Sequence, residues 1–151
     1  QHRGTDITLA LDTLNRIIPR RAITFLLSDF ITEESMVWIR PKTEEIDDLF
    51  KSIVLTNKRH DLICISLSDP REFSLPNVGI ITLEDAETGE LVEVDTANPN
   101  FRNLYEHQNR RRAESLRRRF RQSGVDHLSV STDRPYLNAL QEFFNTRERR
   151  R

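Results

Sequence analysis

The sequence predicts an α/β fold in which a parallel sheet lies between helices, and three observations carry that prediction. Residues 22–27 and Asp61–Ser68 are short apolar runs with little polar alternation, the pattern of strands covered on both faces. Each run stops at the same pair of residues, Ser28-Asp29 and Ser68-Asp69. Between them, a segment opening at Thr43 sets Ile46, Leu49, Phe50, Ile53 and Val54 at i, i+3, i+4, i+7 and i+8, the apolar stripe of an amphipathic helix. Strand, helix and strand in that order form a βαβ unit, whose crossover sets its two strands side by side or nearly so. Residues 22–28, the most apolar run of the chain, are expected at the centre of the sheet.

The remaining elements follow in order. Apolar residues at 7, 10, 11, 14, 17 and 18 predict a first helix over 6–18, with Thr5 or Asp6 as N-cap and Pro19 as its stop. Residues 31–42 show no period, and Met36, Val37, Trp38 and Ile39 stand there in succession. That run is expected to pack over the sheet or against a partner. Glu44, Glu45, Asp47 and Asp48 suit the positive end of the second helix. Residues 79–84 and 90–95 read as short strands around a five-residue loop carrying Gly89, a hairpin that interrupts the βαβ rhythm. A long helix is predicted over 98–122, ended by Gly124, then a third parallel strand over 125–131 and a last helix over 134–146. The single domain thus covers 1–146, and 147–151 reads as a frayed basic tail.

Composition narrows the classes of function. The chain has 151 residues, 36% apolar and 31% charged, and no apolar run approaches the ~20 residues of a membrane span. Its single cysteine, Cys64, lies inside an apolar strand and reads as an inert buried thiol in a reducing compartment. The four histidines lack metal-ligand spacing, and no Ser/His/Asp order, Cys/His pair or Gly-rich phosphate loop is present. The chain opens on Gln1 inside a loop motif and reads as part of a longer protein. Net charge is −1, but residues 1–95 hold 10 Lys and Arg against 18 Asp and Glu, and residues 96–151 hold 13 against 6. Such a division suits two halves clamped together or two faces offered to different partners.

The motifs, taken together, resemble a known family. Gly4-Thr5-Asp6-Ile7 before a helix and Leu27-Ser28-Asp29-Phe30 at a strand end are similar to the second and third segments of the metal-ion-dependent adhesion site of von Willebrand factor type A domains. Arg59-His60-Asp61, Ser68-Asp69-Pro70-Arg71-Glu72, Leu83-Glu84-Asp85, Val94-Asp95-Thr96, Gly124-Val125-Asp126 and Ser131-Thr132-Asp133 complete a set that resembles the bacterial domain of unknown function 58. The resemblance implies a three-layer, Rossmann-like type A fold truncated at its N-terminus, where the first metal loop and the early strands should lie, with an inserted hairpin near 79–95. It also implies a Mg²⁺ site to which Thr5 and Asp29 contribute, the Asp-x-Ser-x-Ser loop being absent here. Such an ion takes hard oxygen donors in an octahedron, so this chain is expected to bind Mg²⁺ weakly or not at all, and the complete protein to bind it through Asp29 and Thr5.

Asp6, Ser28, Trp38 and Asp69 are the expected partner-facing residues around that edge. By the same resemblance the domain acts with a MoxR-type AAA ATPase in assembling or maturing envelope complexes, as the cytoplasmic part of a protein anchored in the inner membrane by segments not present here. Two other readings stand beside it. One is a Rossmann-like hydrolase or phosphoryl-transfer enzyme using Asp29, with Asp69 at the adjacent strand end. The other is anion binding by Arg110, Arg111, Arg117, Arg118 and Arg121 of the long helix, which face away from its apolar stripe, whereas Arg112 falls within it. Nucleic acid is the weaker partner, because Tyr105 and Phe120 are needed by the core rather than for stacking. Loss of the first strand is also expected to leave residues 22–28 as an open edge prone to self-association.

Overall fold

The computed structural model describes residues 6–30, 43–84 and 91–149. In chain order these form α1 (Ile7–Ile17), β1 (Ile23–Ser28), α2 (Thr43–Arg59), β2 (Asp61–Ser68), a 3-10 turn (Pro70–Glu72), β3 (Ile80–Glu84), β4 (Leu91–Asp95), α3 (Pro99–Ser123), β5 (Asp126–Ser131) and α4 (Tyr136–Glu148). Three strands make a parallel sheet in the order β1-β2-β5. The Met36–Ile39 run and the hairpin loop lie outside the described residues.

Local chemistry explains most boundaries. The Asp6 carboxylate accepts the Leu9 N–H at 2.8 Å and starts α1. Asn98 accepts the N–H groups of Asn100 and Phe101, and Pro99 follows at the first helical position, so α3 begins with both devices in place. It ends at Gly124, whose φ of 66° is a left-handed cap that a side chain would strain.

The central strand is β2 rather than β1. Leu62, Ile63 and Cys64 are fully buried, and β2 pairs on both sides. In β1 exposure alternates, with Ile23, Phe25 and Leu27 facing outward and 47–63% exposed. This corrects the expectation that residues 22–28 occupy the centre. An unbroken apolar run reports two faces suited to burial and says nothing about the number of neighbouring strands.

The two faces of the sheet are unequal. On one, Leu26, Leu62 and Cys64 pack with Leu11 of α1, Leu49, Phe50 and Ile53 of α2, and Phe120 of α3. Within that layer the buried Asn15 amide of α1 donates to the Thr56 hydroxyl of α2 at 2.8 Å. On the other face α4 lies across β5 and reaches β1 through an edge-to-face contact of Phe144 with Phe25, ring centroids 6.3 Å apart. Arg147 anchors it, pairing with Asp61 of β2 and, at 2.8 Å, with Asp126 of β5. Arg147 therefore belongs to a packed helix that continues to Glu148, not to a frayed tail. The guanidinium meets two carboxylates brought close by the sheet register, in which Asp126 of β5 pairs with Ile63, two residues beyond Asp61 on β2.

β3 and β4 form a separate antiparallel ribbon. Its base is held by Thr96, a fully buried residue whose hydroxyl donates to the Gly79 carbonyl at 2.6 Å and accepts the Val78 N–H at 3.0 Å. The Arg102 guanidinium of α3 donates to the Thr96 and Ala97 carbonyls, joining the ribbon to the long helix.

Candidate functional site at the C-terminal strand edge

All three parallel strands end at the same edge in hydroxyl and carboxylate residues: Ser28-Asp29, Ser68-Asp69 and Ser131-Thr132-Asp133. This is the edge at which open α/β sheets hold ligands. At the end of β1 the Ser28 hydroxyl accepts the Phe30 N–H at 2.9 Å and lies 3.4 Å from Asp29 Oδ1. Phe30 then turns back into the core with φ of 53°, a left-handed conformation unusual for an aromatic residue. Its ring is buried edge-on against Phe120, centroids 5.2 Å apart. Packing of Phe30 holds the turn, and the turn leaves Asp29 exposed at the edge.

Asp69 has a different role. Its Oδ1 accepts the Arg71 N–H at 2.8 Å and its Oδ2 the Thr132 hydroxyl at 2.9 Å. These bonds, the Arg71 N–H foremost, lower its pKa. The Thr132 N–H donates to the Ser68 carbonyl at 3.0 Å, so the ends of β2 and β5 are tied together. Asp69 is thus a cap and a tie.

Beside these strand ends α3 lays down a polar stripe. Tyr105, Asn109 and Arg112 follow one another at i, i+4 and i+7, above Leu116 and Phe120, which enter the core. The Tyr105 hydroxyl donates to the Arg71 carbonyl at 3.4 Å, which brings the stripe against the Pro70–Glu72 turn. Burial raises the Glu72 pKa, and the nearby Asp29 charge adds to the rise while Arg112 opposes it. Burial likewise lowers the Arg112 pKa, opposed by Glu72 and then Asp29. Glu72, Arg112 and Asp29 thus form a mixed-charge cluster at the edge.

Of the residues expected from the sequence, Ser28, Asp29 and Asp69 meet at one edge, on adjacent parallel strands. Asp6 is the cap of α1. Thr5 and Trp38 lie outside the described residues. Arg110, Arg111, Arg117, Arg118 and Arg121 are exposed on α3, with Arg110 paired to Glu106 at 2.8 Å. Glu72, Tyr105 and Thr132 were not foreseen at the edge. Only Arg112 gave a signal, a charged residue inside an apolar stripe, and it takes the position that such a residue can tolerate, beside carboxylates.

Among the described residues no group of three or more His, Cys, Asp or Glu side chains is placed to hold a metal ion. Asp29 and Ser28 fit Mg²⁺ in kind, being hard oxygen donors, but not in number. The Cys64 thiol is fully buried, and burial pushes its pKa up to about 12, the setting of an unreactive structural cysteine.

A mixed α/β sheet protein with oxygen donors gathered at the C-terminal strand edge is the class that fold and site define. The chain belongs to the DUF58 family of proteins of unknown function, whose model matches residues 1–115. It is 31% identical over 144 residues to uncharacterized proteins of Mycobacterium tuberculosis and Mycobacterium bovis, which covers 95% of this chain and 41% of those relatives. An uncharacterized Mycobacterium avium protein is 28% identical over 144 residues, 77% of its own length. No solved structure matches. Among the described residues no helix is long and apolar enough to cross a membrane.

Proposed function

We propose that this chain is the larger part of a von Willebrand factor type A-like interaction domain that offers Asp29 to a divalent cation, by preference Mg²⁺, at the C-terminal strand edge. The observation that carries the reading is the end of β1, where a buried left-handed Phe30 holds Ser28 and Asp29 outward beside the ends of two further parallel strands. The remaining donors come from Thr5 and from a segment outside this chain, which spans 41% of its mycobacterial relatives. The Rossmann-like enzyme alternative is weakened by Asp69, whose two oxygens are engaged in capping β2 and tying it to β5.

The partner side of the reading is an acidic side chain presented to the ion, and the partner class is a MoxR-type AAA ATPase or the envelope complex it acts on. The test is calorimetric titration of the full-length parent with Mg²⁺, followed by co-purification with the ATPase. Asp29→Ala should weaken metal-dependent association about tenfold or more while changing stability by less than ~1 kcal/mol. Equal affinity in the variant would remove the metal from the proposal, and tight Mg²⁺ binding by the 151-residue chain alone would show that donors from outside it are not needed.

A further inference from the structure

β5 is the other end of the sheet and, among the described residues, pairs with β2 on one side only. Its outer edge forms the floor of a groove of about 690 Å³ between the last turns of α3 and the body of α4. Along an edge strand every second residue turns its N–H and C=O groups away from the sheet, a template for one more strand. The walls of the groove differ in chemistry. On the α3 side stand Arg117 and Arg121, both exposed, and among the described residues neither is ion-paired to a carboxylate. On the α4 side the wall is Ala139 and Phe143, half-buried, with Leu128 of β5 facing the same way.

We propose that the free edge of β5 accepts, by strand addition, an extended segment of a protein partner in which acidic and apolar side chains alternate. The alternation follows from geometry. Successive side chains of an added strand point to opposite faces of the sheet, so one set meets the α3 wall and the other the α4 wall. Carboxylates satisfy Arg117 and Arg121, and small or β-branched apolar groups cover Ala139 and Phe143. Placing the acids on the α4 side would set them against Glu142, which lines that wall. The facing therefore selects the phase of the alternation as well as its composition. Arg147, also in the groove, is held by Asp61 and Asp126 and is not the recognition element.

The test uses a fluorescein-labelled six-residue peptide, acetyl-Glu-Val-Glu-Val-Glu-Val, matched to the six residues of β5, and its Lys-Val counterpart. Anisotropy should show saturable binding of the acidic peptide, at least about tenfold tighter than the basic one, a gap of about 1.4 kcal/mol. Arg117→Glu/Arg121→Glu changes exposed positions only, should leave the fold intact, and should reverse the preference so that the basic peptide binds. Hydrogen exchange with bound peptide should protect residues 126–131 and leave 23–28 unchanged. An all-Glu peptide or a single-stranded DNA hexamer binding as tightly as Glu-Val would overturn the proposal in favour of a general polyanion face. Protection of 126–131 by self-association without peptide would overturn it in favour of a second copy of the chain. No peptide binding would leave the two arginines as guards of an edge that pairs with nothing, and would also overturn it.

Discussion

The two edges of the parallel sheet are built on opposite principles. β1 is rich in apolar residues and carries Ile23, Phe25 and Leu27 on the face where Phe144 of α4 meets Phe25, and those three remain 47–63% exposed. β5 is the more polar strand, carrying Asp126, His127, Ser129 and Ser131, yet it is flanked on both faces by helices. An open edge is normally protected by charge, shortness or cover. β5 has such protection in Arg117 and Arg121, whereas β1 has the composition of a strand inside a sheet. If both edges pair with further strands, as proposed above, the composition of β1 suits permanent pairing and that of β5 reversible or selective pairing.

The largest effect should come from the turn that ends β1. Phe30→Ala removes a buried ring from its contact with Phe120 and should cost about 3–5 kcal/mol in urea denaturation. Because φ is 53° at this position, Phe30→Gly should be no more destabilising than Phe30→Ala, the reverse of the usual order for these two residues. A glycine variant clearly less stable than the alanine one would show that the left-handed turn is not a constraint on this end of β1.

At the other edge, Arg147→Ala should cost about 3 kcal/mol, because it leaves Asp61 and Asp126 without the cation that joins β2, β5 and α4. The loss should be accompanied by faster amide exchange in α4 and β5 with little change in α1. Uniform loosening of all helices would mean that the pair stabilises the whole fold rather than this side of the sheet.

A smaller effect on the monomer, but a direct test of the contrast, is expected from Leu27→Lys. The side chain is 59% exposed, so unfolding free energy should change by no more than about 0.5 kcal/mol. Sedimentation velocity should nevertheless show less concentration-dependent association than in the unsubstituted chain, since a charge is placed on the unprotected strand. Association unaffected by Leu27→Lys and abolished by a charge in β5 would exchange the roles assigned to the two edges.

Much of this arrangement was legible in the sequence, and the exceptions have identifiable causes. The βαβ unit, the hairpin, the long helix with its Gly124 stop and the last strand were all visible, because periodicity and caps are local signals. The gathering of Ser28, Asp29 and Asp69 at one edge followed from two similar strand ends joined by a crossover helix. Strand order was not legible: apolar residues 22–28 suggested a central strand, and only pairing with partners distant in the chain shows that β2 holds that place. The partners of Arg112 and Arg147 were hidden for a related reason. Arg112 stood out inside the apolar stripe of α3 and Arg147 read as part of a basic tail, but the carboxylates that meet them, Glu72 in one case and Asp61 and Asp126 in the other, are distant in the chain and are brought near only by the fold.

The smallest effect concerns His127, which lies on β5 itself. Its ring stacks on Phe120 with centroids 4.0 Å apart and its Nε2 is 3.0 Å from the Ser66 hydroxyl, while Arg117 is the charged group that faces it. Burial, and then the Arg117 charge, lower its pKa from 6.5 to about 4. The folded protein therefore keeps this imidazole neutral over a range in which the unfolded chain takes up a proton. Stability from this group is fully present above about pH 6.5, falls as the pH drops toward 4, and levels off below that. Since the ring is only partly buried, the expected loss is on the order of 1 kcal/mol after solvent screening is allowed for. Urea midpoints measured between pH 4 and 7 for the unsubstituted chain and for His127→Gln should diverge by that amount at the upper end and converge at the lower. Removing the neighbouring charge with Arg117→Gln should raise the lower limit of the window and shrink the loss, the upper limit being set by the unfolded chain. A difference between the two chains that stayed constant across this range would mean that His127 titrates alike in the folded and unfolded states, and that the α3 arginines exert no field on the β5 edge.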